Sequence, residues 1–359
     1  MKLTPDERDL ALCAYCPDLC LARCPVSLAS GDLTLSPWGK QSHLWRHLRG
    51  VPWDGPEGAR PLFQCLGCLA CQEICKHGVD VPANLFAGRD ILRRELPQLR
   101  MVPALGPVGD AAADRLRELV PGWRWSPDAE VLLLVEGIPL EPGGAAWLEE
   151  VFAALDAVGD EAVGVNPDAV LSAGWRDWER GDLGRAESAA RHLHARAGRY
   201  RRVLAASPEA ASFVQLGWPT WELSRPEVVP LTTYLADAAD RLSPLPDPPR
   251  SAWHDPCHLV RYLEAGDAPR RLLSALLGDR LVELPRHGRD TVCCGAGGMM
   301  EETAPDLSAA MARDLIALLD ETDAERLITG CPRCQRALAA VAPARVVSLY
   351  SVIAEAKKK

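Results

Sequence analysis

Thirteen cysteines constrain this chain more than any other feature, because their spacing leaves little room for alternatives. Eight fall within the first hundred residues in two tight runs, and five lie far downstream as Cys257, Cys293, Cys294, Cys331 and Cys334. The N-terminus, MKLTPDERDLALCAYC, carries no apolar h-region and no small-residue cleavage site, so the chain reads as unsecreted. Thiols in such a chain stay reduced, and an odd count fits a disulfide framework poorly; metal binding is the natural use for clustered thiols. The rest of the composition is that of an ordinary globular protein. Its 359 residues, 48% hydrophobic and 25% charged, allow two to three domains. A net charge of −9 without a basic stripe excludes a nucleic-acid binder. The longest apolar run, Val131–Val135, has strand length and spans no membrane. The expected location is cytoplasmic, with peripheral attachment at the inner face of a membrane open only through a complex.

Cys65-Leu-Gly-Cys68-Leu-Ala-Cys71-Gln-Glu-Ile-Cys75 is C-x2-C-x2-C-x3-C, the bacterial ferredoxin spacing for a [4Fe–4S] cube whose fourth cysteine serves the other cube of a pair. A zinc ribbon would instead separate two C-x2-C pairs by about 15–20 residues. The upstream run, Cys13-Ala-Tyr-Cys16-Pro-Asp-Leu-Cys20-Leu-Ala-Arg-Cys24-Pro25, has one extra residue before its third cysteine. Alone it would also suit zinc or structural cysteines; beside the second run it completes a two-cluster module. Exchange of fourth cysteines then assigns Cys13, Cys16, Cys20 and Cys75 to one cube, and Cys65, Cys68, Cys71 and Cys24 to the other.

The texture changes beyond Pro97–Pro107, which reads as a linker. Short apolar runs at Val131–Val135, Ala162–Val165, Val203–Ala205, Ser251–His254, Leu281–Leu284 and Arg326–Thr329 alternate with helical stretches, predicting a largely parallel α/β sheet arrangement. One helix is expected from Thr303 as cap and Pro305 in the first turn, with Leu307, Met311, Leu315 and Leu318 on its apolar face. Ser243–Pro249 reads as a stiff linker between two halves. Those halves look like a pseudo-repeat. Glu136, Ser172-Ala173-Gly174 and Ser207-Pro208-Glu209-Ala210 fall at nearly the offsets of Cys257, Cys293-Cys294-Gly295 and Cys331-Pro332-Arg333-Cys334. The three parts are expected at 1–100, 127–242 and 250–359. Carboxylate and hydroxyl groups are poor ligands for soft iron–sulfur chemistry, so no metal is expected in the first half.

The pattern C-x35-CCG-x35-C-x2-C resembles the CCG-domain iron–sulfur proteins, which include the B and D subunits of heterodisulfide reductase and the iron–sulfur subunits of glycolate oxidase, lactate-utilisation and glycerol-3-phosphate dehydrogenase systems. The resemblance spans nearly the whole chain. It implies a helical two-[4Fe–4S] ferredoxin module followed by two CCG α/β halves. It also implies that Cys257, Cys293, Cys294, Cys331 and Cys334 hold a noncubane [4Fe–4S] cluster, with zinc as the competing metal. The residues themselves agree on location. Cys257, the CCG after Thr291-Val292 and Cys331 each follow a predicted strand end, the usual ligand crevice of an open α/β sheet. Gly295, Gly297 and Gly298 are expected to let the backbone approach the group closely.

Other candidates read as ordinary structure. His254, His258 and His287 are expected to be hydrogen-bonded or solvated, with contact to the third centre as the sharper reading. Trp38, Trp45 and Trp53 read as core, and Lys357–Lys359 as a solvated tail. No dinucleotide fingerprint appears, so flavin or nicotinamide would belong to a partner. The resemblance therefore implies an electron-transfer subunit working between an FAD-linked dehydrogenase and a quinone or other acceptor. A heterodisulfide-reductase-like catalytic subunit and a structural subunit holding zinc are the alternatives.

Overall fold

The computed structural model describes residues 1–96, 110–160 and 162–356; the expected linker at 97–107 and the tail 357–359 lie outside these. Residues 1–96 are largely helical, as their capping residues dictate. Asp6 accepts from the amides of Arg8 and Asp9 to start Glu7–Ala14, Ser36 from Gly39 to start Pro37–Leu48, and Asp80 from Ala83 to start Val81–Glu95. Proline occupies the first turn of the latter two. Their apolar faces, with that of the helix Gly55–Phe63, meet through Leu10, Leu44, Leu62, Leu85 and Phe86, all buried. The second cysteine run lies between the helices Gly55–Phe63 and Val81–Glu95; in the first run, Cys13 lies inside Glu7–Ala14 and the others in the segment that follows it.

Two four-stranded parallel sheets follow. Strands β1 (Val131–Leu134), β2 (Val163–Gly164), β3 (Arg202–Ala205) and β4 (Val228–Pro230) assemble in the order β2-β1-β3-β4. Strands β5 (Ser251–His254), β6 (Leu281–Glu283), β7 (Arg326–Thr329) and β8 (Val346–Ser348) assemble as β6-β5-β7-β8, the same order shifted by four. Contacts between the sheets' helices are reciprocal. The helix after β1 (Gly144–Ala157) packs on the helix after β8 (Leu349–Ala354), and the helix after β4 (Leu231–Ala236) packs on that after β5 (Asp267–Leu277). Residues 243–249 carry no regular secondary structure.

All six expected strands are present, and two more, β4 and β8, close the far edge of each sheet. Three details differ from the sequence reading. Thr291 and Val292 form no strand; β6 ends at Glu283 and the chain reaches Cys293 through a single 3₁₀ turn. The helix Pro305–Asp320 is capped by Ala304 without a side-chain bond, because Thr303 ends the preceding helical turn and donates its hydroxyl to the Met299 carbonyl. Its fully buried stripe runs Ser308, Met311, Ala312, Leu315 and Leu319, with Leu307 and Leu318 half-buried at its margin.

Candidate metal centres

The two ferredoxin-type runs wrap two separate cavities. One is lined by Cys13, Cys16, Cys20 and Cys75, with Trp38 and Ile74, and has a volume of 190 Å³. The other, much smaller, is lined by Cys24, Cys65, Cys68 and Cys71, with Lys40. The smaller cavity thus takes three cysteines from the second run and Cys24 from the first, and the larger takes three from the first run and Cys75, with Cys71 at its edge, from the second. The backbone repeats this relation. Cys24 and Cys75 each follow a short 3₁₀ turn, at φ −78°, ψ 113° and φ −78°, ψ 114°. In each run the residue two before the third cysteine, Asp18 or Leu69, turns through the left-handed region at φ 58° and 57°. The extra residue of the first run is therefore absorbed ahead of this turn. Cys71 also touches the first cavity, so the two are neighbours.

The donor set suits soft cations. Burial, then the neighbouring Cys75 and Cys16, push the Cys13 thiol up to about 12, and burial raises Cys71 well above its ordinary range. Buried thiols in this state keep protons that an incoming iron cation would displace. If the fourth cysteines are exchanged, Cys24→Ser should perturb the signals of the centre held by Cys65, Cys68 and Cys71. The centre of its own run should stay comparatively intact, as read by EPR of the reduced protein. The reverse pattern would mean that each run closes its own cluster.

The five downstream cysteines converge at the C-terminal ends of β5 and β7. Cys257 opens a π turn, His258–Tyr262, and Cys331 caps the helix Pro332–Val341, with Cys334 in its first turn. The helix N-terminus thereby favours negative charge at these sulfurs. The Cys293 side chain meets those of Cys257, Cys294 and Cys68, and Cys294 meets Cys334, which meets Cys331. Thiol hydrogen bonds from Cys293 and Cys334 hold Cys294 well below the usual thiol range, while both donors are raised. His254, at the end of β5, is buried, and its ring reaches the Cys294 thiol, which it helps to hold low. It lies with Cys294 and Cys334 in a group whose ligand atoms are all within 4.8 Å of one another. Of the three histidines, it is the one placed at the thiols. His258 instead meets Ser212 Oγ at 2.8 Å and stacks on Tyr262, and burial lowers it to about 3. His287 meets the Leu284 carbonyl.

The third group abuts the second cavity. Cys68 interacts with Cys293, and that contact first, then Arg261, brings its thiol down to about 6 against burial. The glycines expected to face the metal face this seam instead. A Cβ on Gly297 would lie 2.1 Å from the Leu66 carbonyl oxygen, and one on Gly298 1.7 Å from that of Cys65. Only glycine admits such backbone contact, and Gly298 also sits at φ +61°. Arg261 donates to the Cys68 and Thr291 carbonyls, Tyr262 to that of Gly67 at 2.6 Å, and Arg289 pairs with Glu73 at 2.8 Å across the rim. Gly295, at φ +91°, instead lets the loop press on the Ser308 carbonyl.

In the first half, Glu136, Ser172 and Ser207 are engaged by local bonds. Glu136 accepts from the Ala173 amide at 3.0 Å and from Ser207 at 3.3 Å, and Ser172 accepts from the Gly174 amide. Sequence reasoning missed Glu209, which is buried and accepts from Cys331 Sγ at 3.3 Å, and the buried Lys40 beside Cys65 and Cys68. Among the three tryptophans, Trp38 lines a cysteine cavity, whereas Trp53 stacks on His47 and Trp45 lies under Arg49.

Two family models match parts of the chain. The 4Fe-4S dicluster domain family matches residues 9–79 and the cysteine-rich (CCG) domain family matches residues 251–339. The D subunit of the dihydromethanophenazine:CoB–CoM heterodisulfide reductase of Methanosarcina barkeri is 39% identical over 115 residues, which cover 31% of this chain and 28% of that one. The B subunit of the fumarate reductase (CoM/CoB) of Methanothermobacter marburgensis is 21% identical over 92% of this chain and 68% of its own length. Lactate utilization protein A of Oceanobacillus iheyensis is 36% identical over 24% of this chain and 34% of its own. In overall fold the chain is similar to a hypothetical protein from Helicobacter pylori, with a TM-score of 0.54, 11% identity and coverage of 97% of this chain and 76% of that one.

Proposed function

We propose that this chain, which carries the 4Fe-4S dicluster domain and the cysteine-rich CCG domain and is related to iron–sulfur oxidoreductase subunits, relays electrons through three centres in series. The centres are those of Cys13, Cys16, Cys20 and Cys75; of Cys24, Cys65, Cys68 and Cys71; and of Cys257, Cys293, Cys294, Cys331 and Cys334. The observation that carries this reading is the seam, where Cys68 of the middle centre meets Cys293 of the third with loop backbone in direct contact. Four-iron groups, when bound, supply reversible one-electron transfer. The chain's own work is to hold them in line, exclude water from the middle one and supply positive groups beside the thiolates.

The first centre faces outward: its four cysteines are half-buried, and Tyr15 and Leu19 are exposed beside them. That is the entry side in this reading, and an FAD-linked dehydrogenase of the 2-hydroxyacid or glycerol-phosphate type is the partner that fits a chain with no fingerprint for a flavin of its own. The third centre, deep between the halves, serves the acceptor, a quinone or another two-electron carrier. The common strand order of the two sheets supports a pseudo-repeat in which the first half has exchanged its ligands for Glu136, Ser172 and Ser207. Among the described residues no helix is long and apolar enough to cross a membrane, which leaves attachment to a membrane to a complex.

Anaerobically purified protein should contain roughly 12 iron per chain if all three centres hold four irons. The grouping of His254, Cys294 and Cys334 favours a second reading for the third centre, zinc, which would give about 8 iron and one zinc. Adding the right flavoprotein and its substrate should reduce the centres, and Cys294→Ser should stop onward transfer while flavin reduction continues. Substrate-dependent reduction of the isolated chain would overturn the relay.

A further inference from the structure

Three buried side chains of the first half reach across to the second, and each ends on a different cysteine-bearing segment. Two come from one face of the helix Pro208–Leu216, three residues apart. Glu209 meets Cys331 Sγ at 3.3 Å. Ser212 gives its single hydroxyl proton to the Glu209 carbonyl at 2.8 Å. It therefore accepts from Nδ1–H of His258, the residue after Cys257, at 2.8 Å. The third is Glu179, which ends the helix Trp175–Glu179 and accepts from the Gly298 amide, just past the CCG, at 2.9 Å. Packing alone would ask for apolar contact between the halves; it would not place one polar bond at each of the three segments.

Glu179 does more than hold an amide. It pairs with Arg333 at 3.0 Å, and Arg333 donates to the Ala296 carbonyl at 2.6 Å. Arg333 stands between Cys331 and Cys334, and Ala296 is two residues past Cys294. One ion pair thus ties the CCG loop to the helix Pro332–Val341 through a carboxylate that belongs to the other half. The pair is enclosed, with side-chain exposures of 0% for Glu179 and 12% for Arg333. Charges so placed are screened little by water or salt. An unopposed guanidinium beside two ligand cysteines would draw an electron onto the centre they hold, and the Glu179 carboxylate offsets that pull.

We propose that the first half is the positioning lobe of the third centre, and that Glu179 is the residue through which it fixes both the geometry and the charge there. A half without cysteines of its own thereby completes the surroundings of the centre in the other. The proposal deepens the relay reading and rests on it only for the third centre's uptake of an electron.

Glu179→Gln keeps the side-chain length and an acceptor oxygen but removes the charge. In an EPR-monitored redox titration of the metal-loaded full chain, it should make the third centre roughly tenfold easier to reduce, a rise of about 59 mV. The centre of Cys13, Cys16, Cys20 and Cys75 should stay in place as the internal reference. Glu179→Asp, which keeps the charge, should leave the midpoint close to that of the parent. Glu179→Gln combined with Arg333→Gln removes both charges and should bring it back, a reversal that a merely structural residue would not show. Metal release to a chelator reads the geometric part, whichever metal the third centre holds. Glu179→Gln combined with Ser212→Ala should speed release from that centre by roughly tenfold, the effect of two weakened hydrogen bonds, and leave the ferredoxin-type centres unchanged. An unmoved midpoint in Glu179→Gln, a shift that Arg333→Gln does not reverse, or release at the parent rate would each overturn the proposal. A third centre that takes up no electron in the parent chain would overturn the relay reading instead, and the release rate then decides this one.

Discussion

Arg89→Met should lower the apparent unfolding temperature by roughly 10 °C and loosen the second and third centres together. Arg89 lies on the helix Val81–Glu95, is fully buried, and donates to four backbone carbonyls from three parts of the chain. These are Leu62 at 2.7 Å and Cys65 at 3.0 Å in the ferredoxin-type part, Glu179 in the first α/β half and Gly298 at 3.3 Å in the second. Burial lowers its pKa to about 10, so it stays charged at neutral pH. Methionine retains most of the volume but leaves these carbonyls without a donor. At about 1 kcal/mol or more for each unsatisfied group, the loss is roughly 4 kcal/mol, and a domain of this size shifts by about 2–4 °C per kcal/mol. Because Cys65 and Gly298 are both held by this one guanidinium, the seam should open before the sheets melt. Thermal unfolding followed by circular dichroism, alongside bleaching of the visible cluster bands, checks both parts. Unchanged thermal stability would show that water or neighbouring donors replace the clamp. Intact cluster bands up to the melting point would show that the seam does not depend on it.

The elements that the sequence announces are those whose signal is local. Ser251–His254 and Arg326–Thr329 emerge at their expected bounds, because each is a short run leading directly into a turn at a future ligand. The edge strands Val228–Pro230 and Val346–Ser348 escape a local reading, being three residues long and defined mainly by pairing with β3 and β7. The grouping of the cysteines is legible for a similar reason: the spacing C-x2-C-x2-C-x3-C brings three sulfurs to one cavity. What surrounds the sulfurs is not legible. Lys40 is 25 positions before Cys65, and no spacing links it to that thiol. Glu209 is more than a hundred residues from Cys331, and only the packing of one half on the other brings them together. The glycines of the CCG loop show the limit well. Their requirement for a missing Cβ is evident from sequence, but the surface that needs it is the Cys65–Leu66 backbone, known only once the domains are docked.

Lys40→Met should lower the reduction potential of the centre held by Cys24, Cys65, Cys68 and Cys71 by roughly 100 mV, while the Cys13, Cys16, Cys20 and Cys75 centre shifts far less. The Lys40 side chain is buried on the wall of the smaller cavity, where its charge opposes the burial that raises Cys65 and adds to the lowering of Cys68. An ammonium placed there stabilises whichever state of the centre is more negative, and adding an electron makes it more negative. At a separation of ~6 Å and an effective dielectric of ~20, one charge contributes about 3 kcal/mol. For a single electron that corresponds to roughly 100 mV. Arg261 acts on Cys68 in the same sense but also closes the seam, so lysine is the cleaner position to test. An EPR-monitored redox titration reads the two ferredoxin-type centres separately, and Lys40→Arg, which keeps the charge, should recover most of the shift. If the middle centre falls by this amount, electron transfer into it becomes less favourable by roughly 50-fold, at 59 mV per tenfold. Reduction of the third centre should slow accordingly, although Lys40 lines neither the cavity of Cys13, Cys16, Cys20 and Cys75 nor the group of five downstream cysteines. A potential unmoved in Lys40→Met would show that the ammonium is neutralised elsewhere and that the middle centre's affinity for electrons is set by its backbone amides alone.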